Sequence, residues 1–263
     1  MSERFKHLEL RESEHTLAES ATTTAGCPVR TAGDDHRHAV EAVHTGRFET
    51  ALQLYTRALR EDRGFVPAWT GQVQMLIQLD ECAEARLWSD KALELFLSNG
   101  ELLGAKAQAC ARLGDHKAAM ASSDAALQSP GSSAARWQSR GEVLLPKDAR
   151  LARDCFDKSL AEADADWFDR ALIAMIYLYH RKSTVALEFA QAAVELKPSQ
   201  PFSWTIRARC QEALGWFEQA ATSYEHGLEL APGNREIGDA LFAIQARTPP
   251  QRVLGWLGGL FKR

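Results

Sequence analysis

The side chains of this sequence that could carry out chemistry are a few cysteines and histidines. Cys27, His36 and His38 lie close together along the chain, but their spacing matches no recognised zinc pattern. A nucleophilic cysteine needs a base beside it in a cleft. The other cysteines lie far apart, at Cys82, Cys110, Cys155 and Cys210. We predict that these four thiols are small apolar fillers, and that the chain has no metal site and no cofactor.

Other catalytic patterns are not found in the sequence either. It contains no glycine-rich phosphate loop, no evident pair of catalytic carboxylates and no convincing Ser/His/Asp arrangement. His180 is followed by Arg181 and Lys182, which is typical of a solvated turn. We therefore predict no catalytic residue and no enzymatic activity.

The composition is that of an ordinary globular protein. Its 263 residues carry a formal net charge of −4 with both signs mixed, so no basic excess favours nucleic acid. No apolar stretch is long enough to span a bilayer, and the first residues lack the apolar core of a secretory signal. The cysteines are scattered and odd in number, five in all, as expected for reduced thiols. These features predict a cytoplasmic location and no nucleic-acid partner.

Any binding residues must be positioned by a repeat that covers most of the chain. An alanine recurs at steps of 34, 34, 33, 34 and 34 residues, at Ala51, Ala85, Ala119, Ala152, Ala186 and Ala220. A second small residue follows each of them, at Ala58, Ala92, Ala126, Ser159, Ala193 and Gly227. A fixed period of this size is typical of a solenoid, which usually offers a binding surface.

The last repeat carries the fullest motif. It consists of Trp204, Ala208, Gly215, Phe217, Ala220, Tyr224, Gly227 and Pro232. This spacing resembles the tetratricopeptide repeat, a helix–turn–helix of about 34 residues. The resemblance implies an all-α fold, a right-handed α-α superhelical solenoid of six helix pairs with a C-terminal capping helix. On this basis residues 35–246 form the solenoid, residues 1–34 a disordered arm, and residues 247–263 a Pro-Pro spacer with an amphipathic basic tail.

Two local features refine this expectation. Gly46, Gly114 and Gly215 suit the left-handed ends of helices. The fourth repeat is one residue short and contains Pro146, which is best accepted in a turn. We therefore predict the deletion near Leu145–Ala149, with the loop at residues 129–133 as the rival position.

The resemblance also implies a concave groove, lined by the first helices of successive repeats, that binds a peptide or helix. The repeat register assigns to this groove Gln108, Arg112, Gln138, Glu142, Arg170, Met175, Tyr179, Phe202, Thr205, Arg209 and Glu212. Met175 fits the core between repeats equally well. Tyr179 and Arg209 are stronger candidates, because polar or amphipathic side chains seldom belong to a core.

Chaperone-binding members of this family hold a C-terminal carboxylate with Lys, Asn and Arg at fixed places. In the first three repeats those places are occupied by His36, Val40, Gly71, Glu101 and Ala105. A carboxylate clamp requires converging cationic donors. We therefore predict that this chain does not bind chaperone tails in that way.

The C-terminal tail is the second informative feature, and the sequence leaves three interpretations of it open. Its apolar and basic residues include Arg252, Leu254, Trp256, Leu257, Leu260, Phe261 and Lys262. The tail could cap the last repeat, dock into the groove of another protein, or lie on a membrane surface. Its glycines disfavour an isolated helix. Membrane contact is predicted only through this tail.

The predicted function is that of a non-enzymatic adaptor or scaffold that binds a partner segment in its groove. One alternative is an assembly or tethering factor whose tail docks on a protein or a membrane. Another is a regulatory subunit of an enzyme complex.

Overall fold

The computed structural model describes residues 31–247, and every regular element within that range is an α-helix. The thirteen helices are α1 (Ala32–His44), α2 (Phe48–Glu61), α3 (Val66–Gln78), α4 (Cys82–Leu95), α5 (Gly100–Arg112), α6 (His116–Gln128), α7 (Ala134–Leu144), α8 (Ala149–Ala161), α9 (Trp167–Tyr179), α10 (Ser183–Leu196), α11 (Pro201–Ala213), α12 (Phe217–Leu230) and α13 (Arg235–Arg247). The odd-numbered helices are called first helices and the even-numbered ones second helices. The prediction of an all-α repeat solenoid is confirmed.

Contacts between helices divide the chain into two compact units, with the boundary between Gly131 and Ser132. The first unit contains α1–α6 and the second contains α7–α13. Within each unit a first helix packs on its own second helix, which in turn packs on the next first helix. This stacking buries apolar faces that a single pair could not bury alone.

The start of α1 is fixed by a capping box. The Thr31 hydroxyl accepts a hydrogen bond from the backbone N–H of Asp34, and the Asp34 carboxylate accepts one from the backbone N–H of Thr31. Helix α1 therefore begins at Ala32, before the predicted start of the solenoid at residue 35. The remainder of the predicted arm, residues 1–30, and the predicted tail from residue 248 lie outside the described residues.

The turns between first and second helices use left-handed backbone. Gly46, Gly114 and Gly215 have φ angles of 77°, 80° and 77°, which confirms the predicted helix ends. The same place in two other pairs is taken by Asp80 and Arg181, at φ angles of 62° and 56°. These two turns therefore adopt the left-handed conformation without glycine.

The fourth repeat is one residue shorter than the others, and the residue is missing between the start of α7 and the start of α8. In every other pair the start of the second helix follows the start of the first at a constant interval, as from Ala32 to Phe48. From Ala134 to Ala149 this interval is shorter by one. The interval from each second helix to the next first helix is the same throughout. The predicted deletion near Leu145–Ala149 is confirmed, and the rival position at residues 129–133 is wrong.

Small residues on the first helices allow aromatic rings of the second helices to pack closely. A Cβ atom placed on Gly71 would lie 2.4 Å from Cζ of Tyr55, and one placed on Gly141 would lie 2.4 Å from Cε1 of Phe156. The ring thus fills the space where a side chain is absent. The two contacts differ in one respect, because Gly71 belongs to the pair after that of Tyr55, whereas Gly141 belongs to the same pair as Phe156.

Candidate functional site on the inner wall

Successive first helices contact one another directly, and we call the side chains at these contacts the inner wall of each unit. In the first unit the wall joins α3 to α5, and in the second it joins α7 to α9 and α9 to α11. The predicted groove residues all belong to first helices. Their exposure on this wall therefore decides which of them a partner could reach.

The inner wall of the first unit is held together by polar contacts. Gln74 Nε2 donates to Oε1 of Gln108 over 3.3 Å, and Arg112 Nη1 donates to the carbonyl oxygen of Ile77 over 2.9 Å. Gln108 is buried and Arg112 is partly buried. Both are predicted groove residues, and the structure uses them to join α5 to α3.

A second polar contact joins α7 to α9 in the second unit. Gln138 Nε2 donates to Oδ1 of Asp169 over 2.6 Å, and the other oxygen of Asp169 accepts from the backbone N–H of Asp166 over 2.9 Å. Burial raises the pKa of the Asp169 carboxyl, against the opposing effect of these two hydrogen bonds. Gln138 is buried, so its amide serves this contact and does not face an open groove.

The carboxylate of Glu142 is buried beside a histidine at the end of α9. Its Oε1 lies 3.5 Å from Nε2 of His180, whose side chain is mostly buried. The predicted turn exposes Arg181 and Lys182, whereas the His180 side chain itself is mostly removed from solvent. Glu142 is likewise removed from the open part of the predicted groove.

Aromatic rings join α9 to α11. The ring centroids of Phe168 and Phe202 are 5.6 Å apart and the planes are tilted by 39°. Phe202 is buried by this contact and its surroundings. Phe168 was not found from the sequence, although it stands one repeat before Phe202; comparing equivalent positions of adjacent repeats would have found it.

Four predicted groove residues thus require correction, because the structure buries them. They are Gln108, Gln138, Glu142 and Phe202. The physical reason is that neighbouring first helices approach closely enough for side chains at related positions to touch. A polar side chain at such a position makes its hydrogen bonds within the wall. Its polarity therefore does not imply that it is exposed to solvent.

The remaining residues of the second unit leave a reachable surface on α9 and α11. Tyr179 is 41% exposed at the end of α9, and Met175 lies one turn before it with a half-buried side chain. Arg209 is exposed and Glu212 is half-buried on α11. We call Met175, Tyr179, Arg209 and Glu212 the inner patch. It combines an apolar part, an aromatic ring and both signs of charge.

Two other predicted residues are tied to their own helices. Arg170 Nη1 donates to the carbonyl oxygen of Asp166 over 3.1 Å, and the Thr205 hydroxyl donates to the carbonyl oxygen of Pro201 over 3.0 Å. Both side chains are half-buried. Because these side chains donate hydrogen bonds to their own helices, they contribute mainly to the shape of the wall.

Tyr224 of α12 lies beside the charged end of the inner patch. Burial raises the pKa of Tyr224 to about 12, with smaller effects from Arg209 and Glu212. Glu212 Oε1 also lies 3.3 Å from Nη1 of Arg247 at the end of α13. This ion pair restrains the Glu212 carboxylate at the charged end of the inner patch.

Metal ligands, thiols and membrane-spanning helices can be examined directly among the described residues. No group of three His, Cys, Asp or Glu side chains in residues 31–247 could hold a metal ion. The four described cysteines are buried, and burial raises the pKa of Cys110, Cys155 and Cys210, the last to about 12. No helix of this range is long and apolar enough to cross a membrane.

Comparison with known proteins agrees with the helix pairs. The family profile described as "Tetratricopeptide repeat" matches residues 203–234, which include most of α11 and all of α12. The curated Protein STIP1 homolog of Dictyostelium discoideum is 31% identical over 102 residues, which represent 39% of this chain and 18% of that protein. The chain therefore matches less than a fifth of this relative's length.

Solved structures resemble the fold at low sequence identity. TTC0263, described as a thermophilic TPR protein in Thermus thermophilus, covers 82% of this chain and 100% of its own, with a TM-score of 0.50 and 16% identity. The APC/C hetero-tetramer Cut9-Hcn1 has a TM-score of 0.48 and 15% identity, covering 81% of this chain and 43% of that chain. At these identities the likeness concerns the fold alone.

Proposed function

We propose that this chain, a tetratricopeptide repeat protein, is a non-enzymatic scaffold whose second unit holds a segment of a partner protein on the inner patch. The proposal depends on one observation above all: Tyr179 is 41% exposed on a wall whose neighbouring side chains are largely buried. Tyrosine and arginine are enriched among residues that dominate binding energy at protein interfaces. Tyr179 and Arg209 together provide such a pair on α9 and α11.

The inner patch suggests the chemistry of the segment it would bind. Met175 and Tyr179 favour an apolar side chain, since a thioether and an aromatic ring adapt to apolar groups. The exposed guanidinium of Arg209 favours a carboxylate. We therefore expect a protein segment with an apolar residue close to an acidic one.

The proposal is tested with a displayed library of random peptides selected on the full chain. Selected peptides should bind the double variant Tyr179→Ala/Arg209→Glu at least about tenfold more weakly, because an aromatic contact and a charge-assisted hydrogen bond are lost together. Affinities would be measured by titration calorimetry. Far-UV circular dichroism would verify that the variant is folded, since Arg209 also lies near Tyr224.

Leu196→Ala is the matched control, because Leu196 is an exposed apolar residue of the second unit that lies on the second helix α10. It should leave the affinity of the selected peptides unchanged. If the peptides bind the double variant as tightly as the original chain, the inner patch is not the binding site.

The other predicted roles depend largely on residues outside the described range. A tethering factor would act through the tail, from Arg252 to Lys262, and deletion of residues 249–263 would abolish its docking while leaving peptide binding at the inner patch intact. A regulatory-subunit role, a cytoplasmic location, and the lack of nucleic-acid and clamp-type chaperone binding stay predictions from the sequence.

A further inference from the structure

A polar contact at a fixed repeat position joins each second helix of the first unit to the first helix that follows it. Gln72 Nε2 on α3 donates to Oγ1 of Thr56 on α2 over 3.2 Å, and the two residues are 16 positions apart in the chain. One repeat later and at the same separation, Lys106 Nζ on α5 lies 2.6 Å from Oδ1 of Asp90 on α4. The polar group of the first helix thus has a partner on the preceding second helix.

The junction between α10 and α11 in the second unit lacks this contact. Gln191 and Arg207 stand at the two positions. Gln191 Nε2 donates instead to Oε1 of Glu195 on its own helix over 3.1 Å. Arg207 Nε is buried and has no hydrogen-bond partner among residues 31–247. The cation that corresponds to the paired Lys106 therefore faces an amide position and not a carboxylate.

Arg207 lies over an aromatic ring that is itself held in place. Its guanidinium carbon is 4.7 Å from the ring centroid of Trp204, and the ring centroids of Trp204 and His226 are 4.6 Å apart. Trp204 Nε1 donates to the carbonyl oxygen of Pro198 over 2.7 Å. We call Trp204, Arg207 and His226 the Arg207 cluster. Stacking on an indole restricts an arginine side chain while leaving its N–H groups able to donate to a ligand.

The desolvation of Arg207 is not compensated within the part of the chain that the structure describes. Burial lowers the pKa of the Arg207 guanidinium, and no carboxylate of residues 31–247 raises it in return. The contrast is Arg57, whose pKa is raised by its hydrogen bonds to Asp35. A desolvated charge without a counter-ion is unfavourable, and an anionic ligand would supply one. The Arg207 side chain is half-buried, so part of it remains accessible.

We propose that the Arg207 cluster is a second binding site, at which the guanidinium of Arg207 holds an acidic side chain of a partner protein. A carboxylate can accept two parallel hydrogen bonds from a guanidinium. A doubly charged phosphate suits the cluster less, because Glu229 Oε2 already lies 3.4 Å from Nδ1 of His226. Residues two apart on a helix do not share a face, so Arg207 is separate from Arg209 and from the inner patch.

The test titrates the full chain with a fluorescein-labelled oligoglutamate peptide and measures fluorescence anisotropy. Arg207→Gln should weaken binding at least about tenfold, because it removes charge-assisted hydrogen bonds while keeping a polar side chain. Lys106→Gln is the matched control, since it removes one positive charge at the same repeat position, where Asp90 already pairs with it. The control should change the affinity by less than about twofold.

Two further measurements separate a binding role from a structural one. The denaturant midpoint of Arg207→Gln should not fall below that of the original chain, because a desolvated and unpaired guanidinium contributes little to folding. In the original chain, the Nε–H signal of Arg207 in an NMR spectrum should shift and saturate as the peptide is added. This second result does not depend on how the variant folds.

The proposal is overturned if Arg207→Gln and Lys106→Gln weaken binding equally, which would indicate attraction by overall charge. It is also overturned if Tyr179→Ala/Arg209→Glu abolishes oligoglutamate binding, which would assign the peptide to the inner patch. An Arg207 signal that shifts with inorganic phosphate and not with the peptide would assign the cluster to phosphate. Loss of binding in Arg207→Gln with retention in Tyr179→Ala/Arg209→Glu supports the proposal, whatever the outcome at the inner patch.

Discussion

The first helices of the two units meet in different ways. In the first unit the contact between α3 and α5 is a hydrogen bond between Gln74 and Gln108. In the second unit α9 and α11 meet through the rings of Phe168 and Phe202, and Tyr179 remains exposed beyond them. The first wall is therefore joined by polar contacts, whereas the second combines a polar contact between α7 and α9 with an aromatic one between α9 and α11.

The two units nevertheless share one kind of contact, a second-helix ring seated on a first-helix glycine, which belongs to the next pair in the first unit and to the same pair in the second. Tyr55 packs against Gly71 in the first unit, and Phe156 packs against Gly141 in the second. The difference between the walls thus arises from side chains that the packing does not require. Repeats with the same backbone fold can therefore differ in role: the side chains of one can mainly stabilise the array, while those of another can bind a partner.

The largest effect should come from the shared packing. Phe156→Ala and Tyr55→Ala should each lower the free energy of unfolding by about 3–5 kcal/mol, because each removes a buried ring seated on a glycine. Denaturant unfolding followed by circular dichroism measures the loss, and hydrogen exchange locates it in one unit. The two losses should be similar, and a much smaller loss for Tyr55 would show that a ring seated between pairs contributes less than one seated within a pair.

A smaller effect distinguishes the first unit, which contains a buried ion pair. Asp35 is fully buried and Arg57, 43% exposed, donates to it through Nε and Nη2. Arg57→Ala should cost about 3 kcal/mol, because it deprives a buried carboxylate of its guanidinium. Asp35→Ala should cost only about 1–2 kcal/mol, since water can solvate the exposed guanidinium. Denaturant midpoints that reverse this order would contradict the assignment.

The smallest effect is a pH dependence that separates the units. Burial raises the pKa of Tyr55 and of Tyr224 from 10.0 to about 12, and that of Cys210 from 9.0 to about 12. Each group stays protonated in the folded state while the unfolded chain ionises. Its contribution is complete below the unfolded pKa and is lost as the pH rises through the folded value.

The second unit should therefore begin to lose stability above about pH 9, through Cys210, with a further loss above about pH 10 through Tyr224. Tyr55 acts only on the first unit and only above about pH 10. One pH unit above its unfolded pKa, each group has lost about 1.4 kcal/mol of its contribution to stability. Thermal unfolding between pH 8 and pH 12 measures it, and Cys210→Ala should remove the early loss. An unchanged pH profile in that variant would assign the loss to other groups.

The repeat period was sufficient to predict most of the backbone. A period of about 34 residues specifies helix, turn and helix, and the glycines that end helices show where the turns lie. Even the one-residue deletion could be placed near Pro146, because a proline is costly inside a helix. These features are local, so they can be read along the chain without the tertiary structure.

The composition of the candidate site was harder to predict, because exposure depends on the distance between helices. Gln138 and Glu142 are polar residues on a first helix, yet the structure buries both beside α9. Asp35 and Arg57 lie on different helices, and no sequence pattern within either helix indicates that the two residues pair. Tyr179 and Arg209, the two groove candidates that the sequence favoured, are both exposed.

The non-glycine turns have a consequence for engineering. Arg181 carries a φ angle of 56°, where a residue with a Cβ atom is strained by about 1 kcal/mol, and Asp80 adopts a similar angle in the other unit. Glycine at either place would relieve the strain, and three turns of the same array already use it. Glycine also gives the unfolded chain more conformational freedom, which costs roughly 0.5–1 kcal/mol, so the two turns keep their side chains at little net cost in stability.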